Sequence, residues 1–146
     1  MKRSILLLSI FCLCTSVSVM GQQTVQVVLS GMDQVPKVRT PASGMLDVTV
    51  KGDSLIVEGS FSDLRGNFTG MAIYHGREGQ QGNQLIKLTV DINEDHKGGT
   101  VDPKENSIEL REGIKSALSQ GMLYLSITSD RFRQGEIRGQ IPSINP

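Results

Sequence analysis

Beyond residue 14 the chain has no cysteine, and it has no tryptophan anywhere. Its two cysteines, Cys12 and Cys14, sit in an apolar N-terminal stretch. No disulfide framework can staple the remaining residues, so the fold must rest on its core. Aromatic residues are few, four Phe and two Tyr, and no basic stripe breaks the balance of 15 basic and 15 acidic residues. That excludes the electrostatic footprint and stacking platforms of a nucleic-acid binder. A net charge this near zero supplies no field to steer a charged partner. Serines are many, but neither of the two histidines, His75 and His96, stands in a recognisable triad context. The longest apolar run is too short for a spanning helix.

The first residues read as an address. Lys2 and Arg3 precede an apolar run from Ile5 to Leu13, and Val19-Met20-Gly21 supplies a tolerable cut. Residues 1–21 are therefore expected to be a signal peptide, with a mature start at Gln22. Cys12 follows Phe11 and Cys14 follows Leu13, which does not suit lipidation. An exported protein is expected, periplasmic or extracellular, with no membrane span in its mature form. Residues 22–146, about 125 in number, are the size of one domain. Without Lys2 and Arg3 the balance is 13 basic against 15 acidic residues.

What is present is alternation. Thr24 to Leu29 opens as a strand, and Gly31 to Ser43 is a polar loop containing Pro36 and Pro41. Leu46, Val48 and Val50 share one face of the next strand. Lys51-Gly52-Asp53 turns the chain into a return strand with Leu55, Val57, Gly59 and Phe61 inward. Phe68 to His75 reads as a strand, Gly76 to Asn83 as a flexible loop, and Gln84 to Ile92 as one further strand. Val101 to Leu110 is irregular or briefly extended. Arg111 to Gln120 is the one credible helix, with Ile114, Ala117 and Leu118 on one face and Gly121 just past its end. Last comes a hairpin. Leu123, Leu125 and Ile127 alternate with polar neighbours, and after the tip Asp130 to Gln134, Ile137, Gly139 and Ile141 alternate with Glu136, Arg138 and Gln140. The whole predicts an all-β fold: an antiparallel β-sandwich with Greek-key, immunoglobulin-like connections, about seven strands and one short helix.

Each chemical candidate has a plainer alternative. Asp91, Glu94 and Asp95 with Asn93 and His96 are oxygen-rich, yet no EF-hand pattern is present, so a solvated acidic turn competes with a weak calcium site. The glycines of the 76–83 loop precede a strand rather than a helix, which rules out a phosphate cradle. The loop can instead be a binding loop, with Arg77, Gln80 and Gln81 offering donors to a polar ligand. Glu136 and Arg138 share a strand face. They are read as a structural ion pair, with each other or with Arg131 or Glu58, or else as part of a docking surface. No catalytic residue, metal ligand or cofactor is assigned.

The closing run Gly-Glu-Ile-Arg-Gly-Gln (Gly135 to Gln140) resembles that of the CHRD family, the domain first named in chordin. Leu29-Ser30-Gly31 with Val35-Pro36, then Thr40, Ala42 and Gly44, is similar to the family's opening segment. Gly76, Gly79 and Gly82 resemble its Gly-rich loop, and Ile114, Leu118, Gly121 and Tyr124 lead into the hairpin as the family's do. The likeness runs over roughly residues 27–141 and suggests a stand-alone, bacterial-type exported member. It implies an extracellular binding or interaction module; in chordin such domains belong to a protein that binds secreted growth factors. The family usually carries His-Ile-His before the Gly-rich loop and another His in the penultimate strand. Here those positions are Ala72, Tyr74 and Thr128. Three imidazoles so placed could converge on a metal, which makes a metal-binding protein or metal-dependent enzyme the alternative function. This chain lacks the ligands for it. The resemblance names no partner beyond an unknown protein or polar ligand.

Overall fold

The computed structural model describes residues 21–146, so the leader read over residues 1–21, with Cys12 and Cys14, falls outside the described residues except for Gly21. Ten strands and one helix succeed one another: β1 (Gln23–Ser30), β2 (Ser43–Lys51), β3 (Ser54–Ser62), β4 (Phe68–His75), β5 (Gln84–Lys87), β6 (Asp91–Ile92), β7 (Gly99–Val101), β8 (Ser107–Glu109), α1 (Glu112–Ser119), β9 (Leu123–Ser129) and β10 (Ile137–Gln140).

The first hairpins form where alternation and turn chemistry put them. Gly52, with φ of 58°, lets Lys51 and Ser54 face each other across a two-residue turn. Leu46, Val48 and Val50 of β2 then share the core with Leu55 and Val57 of β3. The closing hairpin pairs Ile137 with Ile127 and Gly139 with Leu125. Helix α1 sets Leu118, fully buried, into the same core.

The expected two-sheet sandwich of about seven strands is corrected to ten strands on one antiparallel hydrogen-bonded path, β5-β4-β9-β10-β1-β2-β3-β7-β6, with β8 also on β3. The stretch Gln84 to Ile92 causes the difference. It reads as one strand but divides: β5 pairs with β4 at one edge of the sheet, and β6 pairs with β7 at the other. Only Leu88, Thr89 and Val90 lie between, and three extended residues reach about 10 Å. The two edges must therefore approach, so the sheet curls into a half-barrel. Alternation runs unbroken through the division because Ile86, Leu88, Val90 and Ile92 all keep to the core side. Period 2 reports which face a side chain takes, not which neighbour its backbone bonds. The 101–110 stretch, read as irregular or briefly extended, places the end of β7 and then the short β8 against β3.

A buried amide secures the crossing. Asn106, 2% exposed, accepts from Thr89 N (2.8 Å) and donates to Thr89 O and Asp102 O (both 2.9 Å). It thereby gives Thr89 the partner that a strand would have supplied. Asn106→Ala should lower stability by about 2 kcal/mol, read as a shifted urea midpoint with unchanged slope.

Candidate binding site

The closing motif lies in the middle of the sheet, β10 having β9 on one side and β1 on the other. Its polar row is not a wetted face. Glu136 is fully buried and Arg138 only 2% exposed. Each finds partners other than those expected. The Glu136 carboxylate accepts from Thr40 Oγ1 and Arg65 N (both 2.6 Å), from Ser129 Oγ (2.6 Å) and from Gly66 N (3.3 Å). Arg138 donates through Nη1 to Gln80 O (2.7 Å) and through Nη2 to Arg77 O (2.8 Å) and Gln140 Oε1 (3.1 Å). Its guanidinium lies 3.5 Å from the ring centre of Tyr124. Salt bridges among the described residues involve only Arg111, Lys115 and their surface carboxylates, so the anticipated pairing of Glu136 or Arg138 with each other, Arg131 or Glu58 does not form.

The electrostatics reflect these neighbours. Burial is the largest influence on Glu136 and pushes its carboxyl upward. The hydrogen bonds from Ser129, Thr40, Arg65 N and Gly66 N together outweigh it and hold the carboxyl below its ordinary value. Burial lowers the Arg138 value, opposed by Tyr124, Asp33 and Glu78.

The motif's remaining residues are equally specified. Gly135 has φ of 128°, and a side chain there would run into the Gln34 amide. A Cβ on Gly139 would strike Val28 O across the sheet. Gln140 donates to Gly76 O and Gly121 O, both at 2.9 Å.

Arg138 and Gln140 thus reach the 76–83 loop from beneath. The loop is not left loose as its glycines suggested. Gly76 N donates to Met122 O (2.8 Å), His75 N to Asn83 O (2.9 Å), and Gly82 N to the Tyr124 hydroxyl (3.1 Å). Gln81 Nε2 donates to Val35 O of the preceding loop. Arg77, Gln80 and Gln81 are all exposed. The five residues singled out in the sequence therefore form two tiers, with three on the loop surface and Glu136 and Arg138 within.

Beside the loop, Ala72, Tyr74 and Thr128 line a single surface depression of about 340 Å³ together with Thr69, Gln84, Lys87 and Arg133. The register explains it. Ala72 and Tyr74 take the outer face of β4, and Thr128 of β9 lies opposite Gly70. Tyr74 stacks on Tyr124 with ring centres 5.2 Å apart, and Tyr124 in turn carries Arg138. Burial, then the neighbouring Tyr124, pushes the Tyr74 phenol up. The positions that bear histidine in the resemblance are thus neighbours, but here they offer a methyl, a phenol and a hydroxyl. His75 ends β4, while the backbone of His96 meets Phe68 at its start, so the eight-residue strand separates them. Asp95 is turned onto Lys97 N (2.9 Å), and no three His, Cys, Asp or Glu side chains converge among the described residues.

Tyr124, Gln34, Thr40, Ser129 and Gln140 were not singled out as site residues, although they frame this region. A strand that is polar on alternate residues resembles a solvated edge. Only its place between β9 and β1, beneath returning loops, shows that its polar row must be satisfied internally.

A family model described as CHRD domain matches residues 25–141. No curated protein and no solved structure matches the chain.

Proposed function

The chain belongs to the CHRD domain family, and on that premise we propose that it is an exported, non-enzymatic binding module of the cell envelope or extracellular space. Its mature form begins at Gln22 and folds as a single domain. Arg77, Gln80 and Gln81 present the contact surface to a protein or polar ligand, and Glu136 and Arg138 hold the frame beneath them. One observation carries this reading. The Arg138 guanidinium fixes the carbonyls of Arg77 and Gln80 while leaving both side chains outward. A loop set in advance loses little entropy on binding.

Two further points favour a binder. Neither His75 nor His96 makes a side-chain hydrogen bond among the described residues that would orient it as a base. The depression at Ala72, Tyr74 and Thr128 presents no imidazole, thiol or carboxylate, so nothing there favours the metal-binding alternative. No helix among the described residues is long and apolar enough to cross a membrane.

The test is affinity capture from envelope and culture fractions with the full chain, against Arg77→Ala/Gln80→Ala/Gln81→Ala. The variant should fold normally and lose the captured partner. An unchanged partner set would remove the loop from this account.

A further inference from the structure

We propose that the depression between β5 and the β9–β10 loop binds a small hydroxylated carboxylate, a sugar acid in chemical class. The site goes beyond the loop reading and does not depend on it.

Two cations line the depression, Lys87 from β5 and Arg133 from the β9–β10 loop, and no Asp or Glu lines it. Neither cation makes a salt bridge or side-chain hydrogen bond among the described residues. In a chain whose charges otherwise balance, an acid-free pair of unengaged cations around one concavity is a local attraction for an anion. An arginine adds a planar fork that matches a carboxylate.

The floor specifies more than charge. Thr69 Oγ1 and Thr128 Oγ1 lie 2.9 Å apart and share one hydrogen bond, and Thr128 also meets Gly70 O at 3.2 Å. The Tyr74 hydroxyl has no protein partner among the described residues, and its raised pKa keeps it a neutral donor. Gln84 adds an amide at the rim. Hydroxyls and an amide in a depression that two cations also line suit a ligand that is itself rich in hydroxyls and carries a carboxylate. The volume, about 340 Å³, is at the small end of ligand sites and suits one or two sugar rings.

Titration with digalacturonate, followed by amide chemical shifts of the isotope-labelled protein, tests the site. Shifts should appear at Thr69, Tyr74, Lys87 and Thr128 and weaken as salt rises. Lys87→Ala and Arg133→Ala, both at exposed positions, should each weaken binding about tenfold. The methyl ester of the same disaccharide keeps the hydroxyls without the charge and should bind about tenfold more weakly. Inorganic phosphate keeps charge without the hydroxyls and should not displace the sugar acid at equal concentration. The loop variant Arg77→Ala/Gln80→Ala/Gln81→Ala should retain binding, which separates this site from the loop. No shifts, equal binding of the ester, displacement by equimolar phosphate, or indifference to Lys87→Ala and Arg133→Ala would each overturn the proposal.

Discussion

Glu136→Gln should lower the melting temperature by roughly 10 °C at neutral pH, and Glu136→Ala by more. The reason is the count of donors on one buried carboxylate. Oε1 serves Thr40 and Arg65 N, while Oε2 serves Ser129 and Gly66 N. A glutamine retains one oxygen and turns an NH2 toward the other pair. The less damaging orientation keeps the oxygen on Thr40 and Arg65, lets the Ser129 hydroxyl accept, and orphans Gly66 N. Losing charge assistance and leaving one buried donor unmet costs about 2–3 kcal/mol. Alanine leaves both pairs unmet and opens a cavity, about 4 kcal/mol. For a domain of this size each kcal/mol moves the midpoint by about 3–5 °C.

The same residue sets a pH signature. Its folded carboxyl lies below the ordinary value of 4.5, so the charge contributes stability that is complete above that value and lost as pH falls through the folded one. The gap between wild type and Glu136→Gln should therefore be constant from neutrality to about pH 5 and narrow on further acidification. Melting curves of both proteins from pH 7 to pH 3 would show it. A gap that stays level to pH 3, or widens, would mean that the hydrogen bonds hold the carboxyl less firmly than their lengths suggest.

How much of this was legible depends on what alternation encodes. Strands β1 to β4, helix α1 and the closing hairpin were readable because inward rows such as Leu46-Val48-Val50 and Leu123-Leu125-Ile127 repeat every second residue, and because Gly52 and Gly121 punctuate the elements. The division at Leu88 to Val90 was not readable, since all its apolar residues keep to one side whether the strand continues or changes partner. The signal for it was Asn106, whose pairing with Thr89 crosses 17 residues of sequence. The polar rows of β9 and β10 misled for a related reason. Tyr124, Ser126 and Arg138 look like a solvent face until the 31–42 and 76–83 segments fold back across them, and that return is a tertiary event. The family likeness drew attention to Gly135 to Gln140, where the charges expected as a pair are two separate anchors, Glu136 on Thr40, Arg65, Gly66 and Ser129 and Arg138 on Arg77, Gln80 and Gln140.

Arg138→Ala should detach the 76–83 loop more than it unfolds the domain. The guanidinium has no carboxylate partner. It is kept by two loop carbonyls, the Gln140 side chain and the Tyr124 ring, an arrangement that only a planar five-donor group can satisfy at once. Removing it frees the Arg77 and Gln80 carbonyls, which water can hydrate once the loop lifts, so the loss is local. About 3 kcal/mol of loop-closing free energy corresponds to an approximately hundredfold faster amide exchange at Gln80 and Gly82. Core amides such as Leu125 should change far less. Arg138→Lys keeps the charge but cannot fork and stack together, so its exchange should fall nearer to alanine than to wild type. If lysine restored full protection, charge alone would be holding the loop. If alanine left Gln80 and Gly82 protected, Gln140 and the Tyr124 hydroxyl would suffice, and the loop's readiness to bind would have to come from them.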